Sequence, residues 1–241
     1  MYQNYKKFLT FLDYYKLFGI ETRIQSKPRI RFENNLVSNN KENLKGKLLE
    51  LKEKISNLDC EIKTNAKNFV FYDGILNSDI MIIGEAPGYE EDKLGKPFVG
   101  RAGKKLDEMI NAIGLNRKKN VYITNIIPWR PPNNRAPTDN EIKLFLPYVE
   151  EHIYLIRPKI LLLFGNVASK SLLNLDQGIT KYHGSWFNYK NSFLKESIFT
   201  ICIFHPSYLL RSPKQKKIAW EDLKKVKEKI DNLKLKYEKK T

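Results

Sequence analysis

Four short apolar runs, Ile80–Ile83, Val121–Ile123, Ile160–Phe164 and Ser197–Phe204, alternate along this chain with segments of helical periodicity around Lys104–Ile113, Asp139–Ile156 and Asn166–Leu173. Unbroken apolar runs of this length suit strands buried on both faces. Strands separated by helices pair in parallel, because each crossover helix must cover one face of the sheet. The expected fold is therefore α/β: a three-layer αβα sandwich around a mostly parallel four-stranded sheet. In such sheets the binding crevice lies beyond the carboxyl ends of the strands. The polar residues that follow the runs, Gly84–Glu85, Asn125 and His205, should converge on one rim.

Charge narrows the partners. The 241 residues carry 43 Lys and Arg against 27 Asp and Glu, a formal net charge of +16, which favours polyanions, nucleic acid before membrane. The excess is uneven: +5 over residues 1–65, +4 over 66–210 and +7 over 211–241. Only nine of the basic residues are Arg, and four of those, Arg101, Arg130, Arg135 and Arg211, fall in loops beside the expected rim. No apolar run approaches the ~20 residues of a membrane span, and the N-terminus lacks the apolar core of a signal peptide. The two cysteines, Cys60 and Cys202, exclude a disulfide framework and a four-thiolate metal site. The reading is a cytoplasmic monomer with no membrane partner.

Outside the alternating region the patterns differ. Tyr5, Phe8, Leu12 and Tyr15 predict an amphipathic helix over residues 5–18, residues 22–44 read as a polar linker, and Leu44–Leu58 as a second helix. Residues 1–65 are thus expected to form a helical, polar extension, and residues 66–241 the main domain. At the far end, Trp220, Leu223, Val226, Ile230, Leu233 and Tyr237 predict a helix over Lys214–Tyr237 whose lysines form a solvated face.

Three segments carry chemistry. G-E-A-P-G-Y-E-E-D at 84–92, with P-F-V-G-R-A-G at 97–103, places glycines after a strand and before a helix, where backbone amides can approach a ligand closely. Alone it suits a nucleotide-binding turn or an ordinary tight loop. Asn125 leads into I-I-P-W-R-P-P-N-N-R, and an amide that both donates and accepts can read the edge of a base. H-P-S-Y-L-L-R at 205–211 sets a histidine beside an apolar pair and an arginine, as a wedge entering DNA requires.

In their order these blocks resemble the family 4 uracil-DNA glycosylases. The similarity runs from about Phe69 to Ile230 and includes F-Y-D-G, G-E-A-P-G, G-K-P-F-V-G-R-A-G, Y-I-T-N, R-P-P-N-N-R-A-P-T, R-P-K-I-L-L-L-F-G and H-P-S-Y-L-L-R. The resemblance implies hydrolysis of the N-glycosidic bond of a uracil flipped out of DNA, because that bond is unreachable inside the stack. It implies that Glu85 orients the attacking water and that His205 stabilises charge on uracil O2. Phe98 would stack on the base, Asn125 would pair with its edge, Glu91 would exclude a C5 methyl, and the backbone at Ala86 would add a hydrogen bond. Leu209 or Leu210, with Arg211, would fill the gap left in the DNA.

The same resemblance implies an iron–sulfur cluster on four cysteines. Cys60 matches the first of them, but Lys63, Trp129 and Phe145 stand at the other three positions. One thiolate cannot hold a cluster, so no cofactor and no metal are expected, with Trp129 and Phe145 packing where the cluster would stand. Two alternatives stay open beside a uracil-specific enzyme: a glycosylase acting on further deaminated bases, and a damage-binding module that does not turn over. A third, an α/β protein binding free nucleotides, leaves the H-P-S-Y-L-L-R segment without a role.

Overall fold

A computed structural model describes residues 31–235. Its centre is a six-stranded sheet in the order β1-β3-β2-β4-β6-β5. The four apolar runs form its middle: β2 (Ile80–Gly84), β3 (Tyr122–Asn125), β4 (Ile160–Phe164) and β6 (Ile198–Ile203), all mutually parallel. Two short antiparallel strands, β1 (Asp73–Gly74) and β5 (Trp186–Tyr189), extend it at the two edges beyond the expected four. Neither edge strand has a continuous apolar run; β1 is two residues long and β5 is half-exposed, so periodicity alone does not mark them.

Successive strand side chains point to opposite faces, which divides the core in two. Met81, Ile83, Tyr122, Leu161 and Leu163 enter one cluster with α4 (Asp139–Ile156) and α5 (Asn166–Leu173). Ile80, Ile82, Ile123, Ile160 and Leu162 enter the other with α3 (Arg101–Ala112) and α8 (Lys216–Asn232). Helix α4 starts where Thr138 and Glu141 form a reciprocal capping box, which satisfies backbone donors that the helix start leaves free. Three short α-helices lie between these elements: α2 (Tyr89–Leu94), α6 (Ile179–Tyr182) and α7 (Pro206–Arg211).

The N-terminal expectations change. The helix expected over 5–18 lies outside the described residues. Helix α1 spans Arg31–Ser56, so the second half of the expected linker is helical. Pro28 is the last proline before it, and the polar residues that follow do not break a helix. The compact unit that holds the sheet begins at Lys41. Leu44, Leu48, Leu51, Ile55 and Ile62 belong to the first core cluster, so this stretch packs with the sheet rather than standing outside it. In α8 the buried stripe is Ala219, Leu223, Val226 and Ile230, whereas Trp220 is exposed and Tyr237 lies outside the described residues.

Candidate active site

The carboxyl ends of β2, β3, β4 and β6 open on a cleft of about 520 Å³. Glu85, Ala86, Glu91, Phe98, Asn125 and His205 all line it, so residues spread over 120 positions of sequence meet at the expected rim. The pairing of β2 with β3 continues past their ends: Ile126 N–H donates to the Gly84 carbonyl and Ile127 N–H to the Glu85 carbonyl, each at 3.0 Å. These bonds hold Glu85 and Asn125 side by side. A Cβ on Gly84 would overlap both the Phe98 ring and the Asn125 amide, so the close approach of ring and amide depends on glycine there.

Asn125 is buried, and its Oδ1 has no hydrogen-bond partner among the described residues. A buried acceptor left unpaired costs ~1–3 kcal/mol, a cost that a ligand N–H would remove. The Phe98 ring lies 5.6 Å, centroid to centroid, from the His205 imidazole, and both bound the same cleft.

His205 caps α7. Its Nδ1 accepts from Ser207 N–H at 3.1 Å and lies 2.7 Å from Ser207 Oγ. Accepting at Nδ1 assigns the proton of the neutral ring to Nε2. Burial, helped by the nearby Arg211 cation and opposed by Glu91, brings the His205 pKa down to about 4, so the ring is neutral at physiological pH. It is a neutral donor, built into the wall of the cleft. Burial also raises the Glu85 carboxyl above its ordinary value.

Glu91 is fully engaged by backbone. Its Oε1 accepts from Val99 N–H (2.9 Å) and Gly100 N–H (2.8 Å), and its Oε2 from Gly88 N–H (3.1 Å). The carboxylate thus ties the first glycine turn to the loop that carries Phe98.

The basic and apolar candidates separate. Arg211 is exposed and lines the cleft. Arg135 lines it too, but is held by Glu141 through two bonds of 2.8 and 2.6 Å. Arg130 stacks on the Tyr89 ring at 5.1 Å and donates to Asn134 Oδ1, and Arg101 is exposed at the start of α3. Leu210 is 38% exposed, whereas Leu209 is 1% exposed in the second core cluster. Leu209 is thus a core residue and Leu210 the exposed one of the pair: residues 206–211 are helical, and 209 falls on the inward face. Sequence reasoning did not reach Asn166, whose Oδ1 accepts from Ile179 N–H at the cleft wall, although a polar residue just past β4 follows the same rule as Glu85 and Asn125.

A second corner lies beyond β3. Lys63 Nζ donates to the Leu58 carbonyl at 3.0 Å and sits 5.7 Å from the centre of the Trp129 ring. Trp129 meets Phe69 edge to face at 4.9 Å, and Phe145 is 1% exposed. Cys60 is half-buried, while Cys202 is wholly buried in β6, where burial pushes its thiol up to about 11. Among the described residues, no group of three or more His, Cys, Asp or Glu could hold a metal ion.

Residues 71–224 match the uracil DNA glycosylase superfamily. The chain is 39% identical over 181 residues to a type-4 uracil-DNA glycosylase of Sulfurisphaera tokodaii, covering 73% of this chain and 81% of that protein. It is 38% identical over 174 residues to the type-4 uracil-DNA glycosylase of Thermotoga maritima, covering 70% and 86%. It also resembles part of a DNA polymerase of Bacillus phage SP01, at 31% over 150 residues, which is 62% of this chain and 16% of that protein.

Proposed function

The chain belongs to the uracil-DNA glycosylase superfamily, and on that premise we propose how its cleft works. The protein is a DNA glycosylase: it hydrolyses the N-glycosidic bond of uracil in DNA, releasing free uracil and leaving an abasic site, the opening step of base-excision repair. The observation that carries the mechanism is the coincidence, in one cleft, of an unpaired amide acceptor on Asn125, a neutral Nε2–H donor on His205 and a desolvated carboxyl on Glu85.

The flipped base stacks on Phe98. Asn125 Oδ1 accepts from uracil N3–H while its Nδ2 donates to O4. Cytosine presents the reverse polarity at that edge and leaves both groups unpaired, at ~1–3 kcal/mol each. The fixed Glu91 carboxylate forms the wall beside C5 and excludes a methyl group. The Ala86 backbone adds a contact to the base.

As the bond between C1′ and N1 breaks, its electron pair leaves with uracil and the sugar becomes oxocarbenium-like, a charge pattern related to that of glycoside hydrolysis. His205 Nε2–H donates to O2, where the negative charge develops. A neutral donor suits this, since it stabilises the anion without having to transfer its proton. Ionised Glu85 faces the cationic sugar and orients the water whose oxygen forms the new bond to C1′. Arg101, Arg130, Arg135 and Arg211 hold backbone phosphates, and Leu210 occupies the gap left by the extruded nucleotide.

The cluster implied by the family does not fit this chain. By the resemblance, three of its four ligand positions hold an ammonium and two aromatic rings; that Lys63 lies over the Trp129 ring, Trp129 against Phe69, and that Phe145 is buried supports this reading. No step above involves it. Iron and sulfide determination on protein purified without oxygen tests this point, and stoichiometric iron would overturn it.

Incubation with an oligonucleotide bearing one uracil, followed by alkali, tests the activity. The expected result is a strand break at that position and free uracil in solution. No break above that of a Glu85→Gln, His205→Ala double variant would refute it, and tight uracil-dependent binding without release would identify a binding module instead.

A further inference from the structure

Phe98, the ring on which the base is proposed to stack, has φ +54°, the left-handed region that a bulky residue rarely adopts. Such a conformation persists only where the surroundings impose it. Two features do so. The Phe98 carbonyl lies against Gly103 in α3, where any Cβ would overlap it. In addition, Arg117 Nη2 donates to the same carbonyl oxygen at 2.6 Å, and Nη1 donates to the Pro97 carbonyl at 3.2 Å.

Arg117 is itself held. Its Nη1 also bonds Asp73 Oδ2 on β1, and its Nε bonds Asp107 Oδ1 on α3, both at 2.9 Å. The side chain is 14% exposed and is not part of the cleft wall. A guanidinium fixed by two carboxylates from different elements presents its remaining donors in one rigid plane. Here that plane is spent on the two carbonyls that set the direction of the Phe98 ring. A purely structural tie between β1 and α3 needs only the carboxylate bonds; the pair of donors aimed at residues 97 and 98 has no role in it.

We propose that Arg117 is a positioning residue for uracil recognition: it holds Phe98 in the left-handed conformation that keeps its ring in the cleft as a stacking platform. Without it, Phe98 relaxes to extended backbone and the ring leaves its place above Gly84 and Asn125. The proposal rests on the glycosylase reading of the cleft. It predicts a selective loss, affecting DNA that carries the base and sparing DNA that does not.

The test measures single-turnover uracil release and, separately, equilibrium binding to abasic-site DNA, for wild type, Arg117→Ala, Phe98→Ala and the double variant. Arg117→Ala is expected to slow release by ~10–100-fold, the range of a charge-assisted hydrogen bond, with abasic-DNA affinity within about twofold of wild type. The double variant should be no slower than Phe98→Ala alone. Equal losses in both measurements, or additive losses in the double variant, overturn the proposal. Should Arg117→Ala fail to fold, Arg117→Lys decides: it keeps the charge beside Asp73 and Asp107 but loses the planar fork. It should show the same selective loss at smaller size, and wild-type release would overturn the proposal. Wild-type protein that releases no uracil defeats the glycosylase reading, and the proposal with it, in a control that is independent of Arg117.

Discussion

Asn125 and Trp129 are four residues apart on one stretch of chain, yet they sit in regions built on opposite terms. At the rim, polar groups are left open: the Asn125 acceptor has no partner among the described residues, the Glu85 carboxyl is shifted by burial, and the neutral His205 ring lines the cleft with only its Nδ1 engaged among the described residues. At the corner, space is closed: Lys63 binds a backbone carbonyl and covers the Trp129 ring, while Phe145 is sealed in the core. The one loose end there is the Trp129 Nε1–H. Unpaired buried groups weaken a fold, so the Asn125 acceptor in the cleft wall marks a place where a ligand N–H would complete the structure. Tight packing at the corner marks where none is needed. Changes at the rim should therefore alter rate far more than stability, and changes at the corner should do the reverse.

The largest expected effect tests the rim. Glu85→Gln and His205→Ala should each slow single-turnover uracil release by ~10²–10³-fold, the usual size for a preorganised electrostatic group. Glu85→Gln should leave the melting midpoint unchanged, and His205→Ala should lower stability only by the ~0.5–2 kcal/mol of a lost helix cap. A matching loss of stability would erase the contrast between the regions.

The corner is broken by Phe145→Ala. Emptying a buried aromatic site costs ~3–5 kcal/mol, which urea unfolding will read as a lower midpoint. Release by the folded fraction should stay at the wild-type rate. A slower rate would mean that the corner takes part in catalysis after all.

Next in size is Asn125→Ala, expected to slow release by ~10–100-fold through lost recognition of the base edge. It should narrow the preference for uracil over cytosine, read by comparing matched oligonucleotides.

The rim also sets a pH dependence. Burial raises the Glu85 pKa, and the working form is the carboxylate; burial lowers that of His205 to about 4, and the working form is neutral. Both groups fail in the same direction. As pH falls, Glu85 protonates first, above the ordinary glutamate value, and His205 becomes cationic near 4. Single-turnover rates should be flat through neutrality and decline on acidification, with an inflection above the ordinary glutamate value. An inflection near neutrality matching an ordinary histidine would contradict the neutral Nε2–H donor.

The smallest effect concerns charge. Arg211→Gln should lower DNA affinity and reduce the slope of log affinity against log salt by about 1. Lys224→Gln, on the exposed side of α8, should change neither. Equal effects would restore weight to net charge as such.

Much of this was legible in the sequence because the rim is made by a general rule. Residues just past parallel strands must meet at the carboxyl edge, so Glu85, Asn125 and His205 could be brought together without coordinates. The αβα architecture followed from the same alternation. What escaped had physical reasons. Strands β1 and β5 are too short or too exposed to leave an apolar run. Helix α1 hides in polar sequence, since nothing in composition distinguishes a solvated helix from a linker. The choice between Leu209 and Leu210 turns on the rotation of one helical turn. Arg117 could not be found at all: its partners at residues 73, 97, 98 and 107 come together only in the folded chain.

The contrast between rim and corner reduces to one measurement: uracil release by protein treated with an iron chelator, its iron content counted on the same sample. Release at the rate of untreated protein, with no stoichiometric iron in either, is the expected result. Release that rises and falls with bound iron would contradict it.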